Sequence, residues 1–478
     1  MMKSTVFIVY LEASQADRLR VGLAKVRSTV SQHDLLISGG HVVTLDPKIG
    51  DLPQGDVLIR NGRIAAVGAG LASRAPGARV VDARGRVVMP GLVDTHRHVW
   101  QGALGGHTGQ VSLSGYSAAV IAGLAPHYTP EDLYAGTLWG ALQALNAGIT
   151  TVADWSHNLS TPRHADANVR ALHDSGIRGV FLYGGPGPDG PAFFGVPAPQ
   201  HPDDARRAQA EHFADQISGR LRMGMALRGP AFTTPEATKN DFAFARELGL
   251  PISIHVGMAG FPGSVETLDK LGLLGPDINY VHANQLSDRE FGLIAGSGGS
   301  ISLCPSVDML MALGTYPATG QALARGIPAG LGVDTTTGTG TDLFTEMRLA
   351  LAAERSRANV GAVRREEAVE AVELNQRDML KLATLGAARV WRLDHEVGSL
   401  TPGKQADVTV IDMRPLHLDG FGDPVATLVM GAGPVDVETV LVGGEIVKAG
   451  GTLQGPLAER ARQLMHESRA NLRARALL

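Results

Sequence analysis

Short apolar runs, several of them closed by a polar residue, recur through the middle of the chain with longer amphipathic stretches between them. The runs fall at Val87–Thr95, Thr150–Asp154, Gly179–Tyr183, Leu221–Leu227, Pro251–His255, Ile278–His282, Gly299–Leu303 and Ala329–Asp334. Runs of this length, rich in Val, Ile and Leu, read as strands. Helical periodicity fills several of the gaps, as at Glu131–Ala147 and Glu236–Leu248, and an Ala-rich helical stretch, Thr345–Arg357, follows the last run. Strands alternating eight times with helices predict an α/β fold, a parallel (β/α)8 TIM-like barrel. The flanks have another texture. Short β-type runs between Gly, Asn and Pro turns occupy 34–67, with Asn61-Gly62 as a hairpin signal, and return at Gly398–Asp412 and Val437–Gly450. The expected organisation is an N-terminal extension (1–33), a small β-sandwich formed by both chain ends (34–86 and 396–455), the barrel (87–395) and a C-terminal helix (456–478).

The polar residues that close the runs carry the candidate chemistry. Asp94-Thr95-His96-Arg97-His98 ends the first, and alternation along a strand puts His96 and His98 on one face. Alone, a His-x-His pair equally suits ordinary hydrogen-bonded histidines. His255, His282 and Asp334 close three further runs in the same way. In a parallel barrel the C-terminal strand ends share one mouth, so residues far apart in sequence meet there. Three imidazoles and a carboxylate with one position open to water make a catalytic metal site, in which the ion lowers the pKa of that water. Asp334 would touch the ion and take the water's proton. His282 would orient water or polarise a substrate oxygen. Candidate substrate-binding residues near the mouth are Trp100, Gln101, His157 and Arg228, the last favouring an anionic group. Arg97, Trp155, Asn158 and Asn284 are weaker candidates. Cys304, the sole cysteine, reads as a small core residue more readily than as a nucleophile. The Gly-rich runs Gly184–Gly187 and Thr337–Gly340 lack the Lys-Ser/Thr ending of a phosphate loop and read as loop hinges.

Composition narrows the partners. The 478 residues carry a net charge of −4 with no basic stripe, so nucleic acid is not expected as a partner. One cysteine permits no intrachain disulfide, which fits a reducing compartment. No apolar run approaches spanning length and no signal-peptide pattern opens the chain, so no membrane partner and a cytoplasmic location are expected.

The motifs PGLVDTHRH, LGVD at Asp334 and GSLTPGKQADVTVID, together with the strand-ending His255 and His282, resemble the amidohydrolase superfamily, in the branch near cytosine deaminase and the triazine hydrolases. The resemblance covers nearly all of 34–450. It implies a distorted barrel with a small β-sandwich, metal ligands His96, His98, His255 and Asp334, and His282 as the strand-six histidine. Relatives with two metals bridge them with a modified lysine ending strand four. This chain reads LRMGMALRGP there, without lysine, which implies one metal, zinc ahead of ferrous iron. A small cyclic or heteroaromatic substrate, hydrolysis of its non-peptide C–N bond and a homo-oligomer (dimer or tetramer) are further implications. One position departs. Deaminases of this branch carry glutamate three residues after the strand-five histidine, and here Met258 stands there. That leaves open a dehalogenating or amidase-type hydrolase releasing no ammonia, and more remotely a non-catalytic scaffold. Glu266, in the following loop, reads as a helix-start carboxylate.

Overall fold

A computed structural model describes residues 34–186, 201–214, 219–369, 371–420 and 422–476. The expected extension at 1–33 and Gly187 of the first Gly-rich run lie outside them. Among the described residues seventeen strands form two sheets. Eight parallel strands run in sequential order around the barrel: β6 (Leu92–Arg97), β7 (Ile149–Ser156), β8 (Arg178–Tyr183), β9 (Leu221–Ala226), β10 (Ile252–Val256), β11 (Ile278–His282), β12 (Ser300–Leu303) and β13 (Ala329–Leu331). The ring is drawn together just past β13, where Asp334 bridges Arg97 in parallel register: Asp334 N donates to His96 O at 2.8 Å and His98 N donates to Asp334 O at 3.1 Å. Every residue of β6, β7, β8, β11, β12 and β13 is buried, as expected for parallel strands covered on both faces.

The run Val87–Thr95 is two strands, not one. Pro90 ends β5 (Arg86–Pro90), Gly91 breaks the path, and β6 begins at Leu92 in the other sheet. Proline removes a ladder donor, and Gly91 lies so close to Thr150 that a Cβ there would sit 2.1 Å from its hydroxyl. The apolar texture alone could not show the change of sheet, because both strands are buried.

β5 belongs to a nine-stranded sheet built from both ends of the described chain: β1 (Leu35–Val42), β2 (Leu52–Arg60), β3 (Arg63–Gly68), β4 (Arg79–Asp82) and β5, then β14 (Val408–Asp412), β15 (Val437–Val442), β16 (Glu445–Ala449) and β17 (Thr452–Leu453). β1 pairs with β4 through Leu35–Ser38 and with β5 through His41 and Val42, turning between the two partners at Gly39, whose φ is +81°. Ile37, Val57 and Ile64 of one wing share a core with Val408, Val410 and Leu441 of the other. Asn61 and Gly62, both at positive φ, form the β2–β3 hairpin.

Helices cover the barrel. Pro130–Asn146 starts on a Thr129 and Asp132 capping box and packs on the segment Val99–Leu104. Gly136 and Gly140 allow that approach, since a Cβ on either would come within 2.3 Å of a backbone carbonyl, of Trp100 or Val99. The last helix, Leu457–Arg475, lies on the same helix, and Arg475 pairs with Asp132. No helix among the described residues is long and apolar enough to cross a membrane.

Candidate active site

The ends of β6, β10, β11 and β13 place the candidate ligands together. The ring centroids of His96 and His98 are 5.0 Å apart, those of His96 and His255 4.9 Å, and those of His255 and His282 5.2 Å. Asp334 Oδ1 is 3.1 Å from His98 Nε2 and 3.3 Å from His96 Nε2, and Oδ2 is 3.9 Å from His282 Nε2. The backbone is strained here. His282 and Asp334 have φ of +73° and +63°, left-handed values that side chains other than glycine seldom adopt. Both residues close their strands with a sharp turn that aims the side chain into the mouth.

Electrostatics favour neutral rings. Burial pushes the His96 imidazole down to about 4 and pulls His255 and His157 well below their ordinary value. Neutral imidazole is the form that donates a lone pair to a cation. Burial pushes the Asp334 carboxyl up, but the nitrogens of His96 and His98 outweigh it and hold Asp334 well below the usual carboxylate range. His282 goes the other way. Burial lowers it, yet Asp308, whose Oδ1 lies 2.9 Å from Nδ1, and then Asp334 leave it raised.

The donors fit a divalent ion. His96 Nδ1 is buried without a hydrogen-bond partner among the described residues, and Nε2 faces Asp334 Oδ1. His98 Nδ1 lies 2.8 Å from Trp155 O, which directs Nε2 toward Asp334. Ligands at zinc–nitrogen distances of about 2.1 Å in a tetrahedron stand about 3.4 Å apart, close to the two shorter separations above. One nitrogen from each of His96, His98 and His255 lies within 4.8 Å of the others. Cys304, fully buried, joins His282 and Asp334 in a second such group, and burial pushes its thiol well up. Arg228 stands two residues past the end of β9, and no lysine stands there.

The site opens into a cavity of about 300 Å³ whose lining includes His98, His157, His255, His282 and Asp334, with apolar side chains over most of the rest. Of the expected substrate contacts, two lie outside the cavity and a third reaches it with its charge already paired. Trp100 is fully buried and outside the cavity, packed edge-on against Tyr128 with Nε1 3.4 Å from His157 Nδ1. Gln101, also fully buried, holds two residues that do line it: Nε2 donates to Tyr116 Oη at 2.6 Å, and Oε1 accepts from Thr335 Oγ1 at 2.5 Å. Arg228 reaches the cavity wall, but both oxygens of Asp241 hold its guanidinium at 2.8 and 2.9 Å, so its charge is neutralised inside the protein. Position in the sequence near a strand end does not tell which side of the strand end a side chain takes. Arg97 shows the same: fully buried, it pairs with Asp94 at 2.7 Å and is not among the residues lining the cavity. His157 does line the cavity, 4.2 Å from the His98 ring. Glu266 sits in the first turn of the helix Ser264–Lys270, 3.7 Å from Arg289. Met258 lies in the cavity wall.

Asp308, Tyr116 and Thr335 escaped the sequence reading. Asp308 had a weak signal, five residues beyond the end of β12 at Leu303; Tyr116 had none, lying in a segment without strand or strong helical pattern.

Comparison with known proteins places the chain. Residues 87–447 match the amidohydrolase family. A 5-methylthioadenosine/S-adenosylhomocysteine deaminase from Symbiobacterium thermophilum is 31% identical over 86% of this chain and 93% of its own length. A 5'-deoxyadenosine deaminase from Methanosarcina mazei is 29% identical over 87% and 92%. Among solved structures, the zinc-bound adenosine deaminase from Xanthomonas campestris superposes with a TM-score of 0.78 at 24% identity, over 91% of this chain and 99% of that one. The zinc complex of atrazine chlorohydrolase from Arthrobacter aurescens TC1 gives 0.79 at 23%, over 92% and 100%. With a match across most of its length and a strand-end histidine cluster in a parallel barrel, the chain belongs to the amidohydrolase family, as a hydrolase of carbon–nitrogen bonds other than peptide bonds.

Proposed function

We propose that the protein hydrolyses a C–N bond on a small, uncharged heteroaromatic ring with one divalent ion, zinc, held by His96, His98, His255 and Asp334. The observation that carries this reading is the meeting of those four side chains at the mouth of the barrel beside an apolar cavity. A divalent ion at such a site supplies the charge that brings a water's pKa toward neutrality and offsets negative charge as it develops. The chain's own residues do the rest. Asp334, held low, accepts the proton of the attacking water and returns it to the leaving nitrogen. His282, kept raised by Asp308, donates to the oxygen bonded to the attacked carbon. His98 is fixed in one orientation by Trp155 O. The apolar side chains lining the cavity lower the local dielectric and strengthen these interactions.

The names of the relatives support an aminopurine nucleoside as substrate, with ammonia leaving. Met258 favours a second reading, in which the leaving group is a halide or part of an amide, because a thioether transfers no proton. The ligand set argues against a non-catalytic scaffold. A cytoplasmic enzyme assembled as a dimer or tetramer completes the reading. Ammonia release across 5'-deoxyadenosine, 5-methylthioadenosine, aminotriazines and chlorotriazines separates the alternatives. We expect ammonia from at least one amino compound, about one metal per chain by elemental analysis, and loss of both in His98→Ala. A fully active His98→Ala protein overturns the site assignment.

A further inference from the structure

The cavity's apolar wall includes Leu113, Ile121, Phe232, Met258, Val307 and Leu313. Among its other lining residues Tyr116 is placed unusually. Its hydroxyl accepts from Gln101 Nε2 at 2.6 Å. Gln101 Oε1 in turn accepts from Thr335 Oγ1 at 2.5 Å, and Thr335 Oγ1 accepts from Thr337 N at 3.2 Å. Each donor in this chain points toward Tyr116, so the phenol oxygen is occupied as an acceptor. Its own hydrogen has no acceptor among the described residues, and the residue borders the cavity. Burial pushes the phenol far above its ordinary value, so it keeps that hydrogen. A donor preset by a fully buried amide costs little reorganisation when a substrate arrives.

We propose that the Tyr116 hydroxyl is the hydrogen-bond donor to a ring nitrogen next to the attacked carbon, polarising the ring where Met258 offers no proton. Gln101 and Thr335 are positioning residues that aim it. No proton changes hands at this contact. The phenol keeps its hydrogen, while the proton lost by water travels through Asp334 to the leaving nitrogen, so water and the amine give the hydroxy compound and ammonia in balance. The occupant is therefore an uncharged heterocycle with an acceptor nitrogen and an apolar substituent.

This inference rests on the C–N hydrolase reading, and its test keeps the two apart. Turnover and calorimetric affinity are measured for 5'-deoxyadenosine and its 1-deaza analogue, in which carbon replaces the nitrogen beside the amino-bearing carbon. In Tyr116→Phe, kcat/KM for 5'-deoxyadenosine falls by about 10²-fold, mostly in kcat, with metal content and melting temperature unchanged. The deaza compound, already poor, changes little. Gln101→Glu, whose carboxylate would draw the phenol hydrogen to itself, loses the same preference for nitrogen with the tyrosine intact. Full activity in Tyr116→Phe, or an equal loss on both compounds, overturns the proposal. Binding that depends on the nitrogen and on Tyr116, with no turnover, sinks deamination but supports the contact; binding of neither compound counts against both.

Discussion

Asp308 reaches the chemistry only through His282. Its carboxylate lies 2.9 Å from Nδ1 and is itself fully buried. A carboxylate behind a site histidine fixes its tautomer and raises its basicity. Asp308→Asn keeps the shape and removes the charge, so kcat should fall about 10- to 100-fold with bound metal unchanged, by steady-state kinetics and elemental analysis. Glu346 shows burial acting on stability instead. Burial pushes its carboxyl up to about 8, although Ser306 donates both its backbone N–H and its hydroxyl to it. An ordinary glutamate ionises near 4.5 in the unfolded chain, so between about 4.5 and 8 the folded state holds the extra proton. Stability contributed by this group is therefore present below that window and lost as pH rises through it. Urea denaturation from pH 5 to 9 should show a decline that is shallower in Glu346→Gln.

Two elements meet closely where the helix Pro130–Asn146 lies on Val99–Leu104, the segment that carries Gln101. Gly140 is there because a Cβ would stand 2.3 Å from Val99 O, a backbone atom that cannot swing aside. Gly140→Ala should cost about 1–3 kcal/mol of stability through overpacking, read as a lower melting temperature. Because Gln101 rides on the displaced segment, kcat should fall as well. The helix itself was plain in the sequence from Glu131 onward, since its periodicity is local. The contact was not, because nothing in a glycine's neighbours along the chain tells which distant backbone presses on it. Similarly, the Pro90-Gly91 break was visible, but not that β5 and β6 part there into different sheets.

At the scale of the molecule, a buried ion pair ties the sheets together. Arg178, at the start of β8, donates to both oxygens of Asp407 at 2.8 and 3.0 Å, and Asp407 also accepts from Gly443 N at 2.7 Å. Both side chains are almost wholly buried. Asp407→Ala leaves a guanidinium unpaired in a dry interface and should destabilise the protein by about 3–5 kcal/mol. Arg178→Met combined with Asp407→Leu should lose much less, by chemical denaturation.

The chain's own order of residues determined the strands, the barrel and the histidines and aspartate that end them. Each is a local signal: apolar periodicity, a Pro-Gly break, a polar residue closing an apolar run. Folding decided which polar residues face the cavity. Trp100, Gln101 and Arg228 stand one or a few positions past a strand end, as His98 and His157 do, yet packing turns Trp100 and Gln101 out of the cavity and couples Arg228 to Asp241. Tyr116, without a signal of its own, and Asp308, with only a weak one, enter the site because a parallel barrel brings every strand end to one mouth. A side chain's direction depends on contacts made tens to hundreds of residues away, and those exist only once the chain has closed.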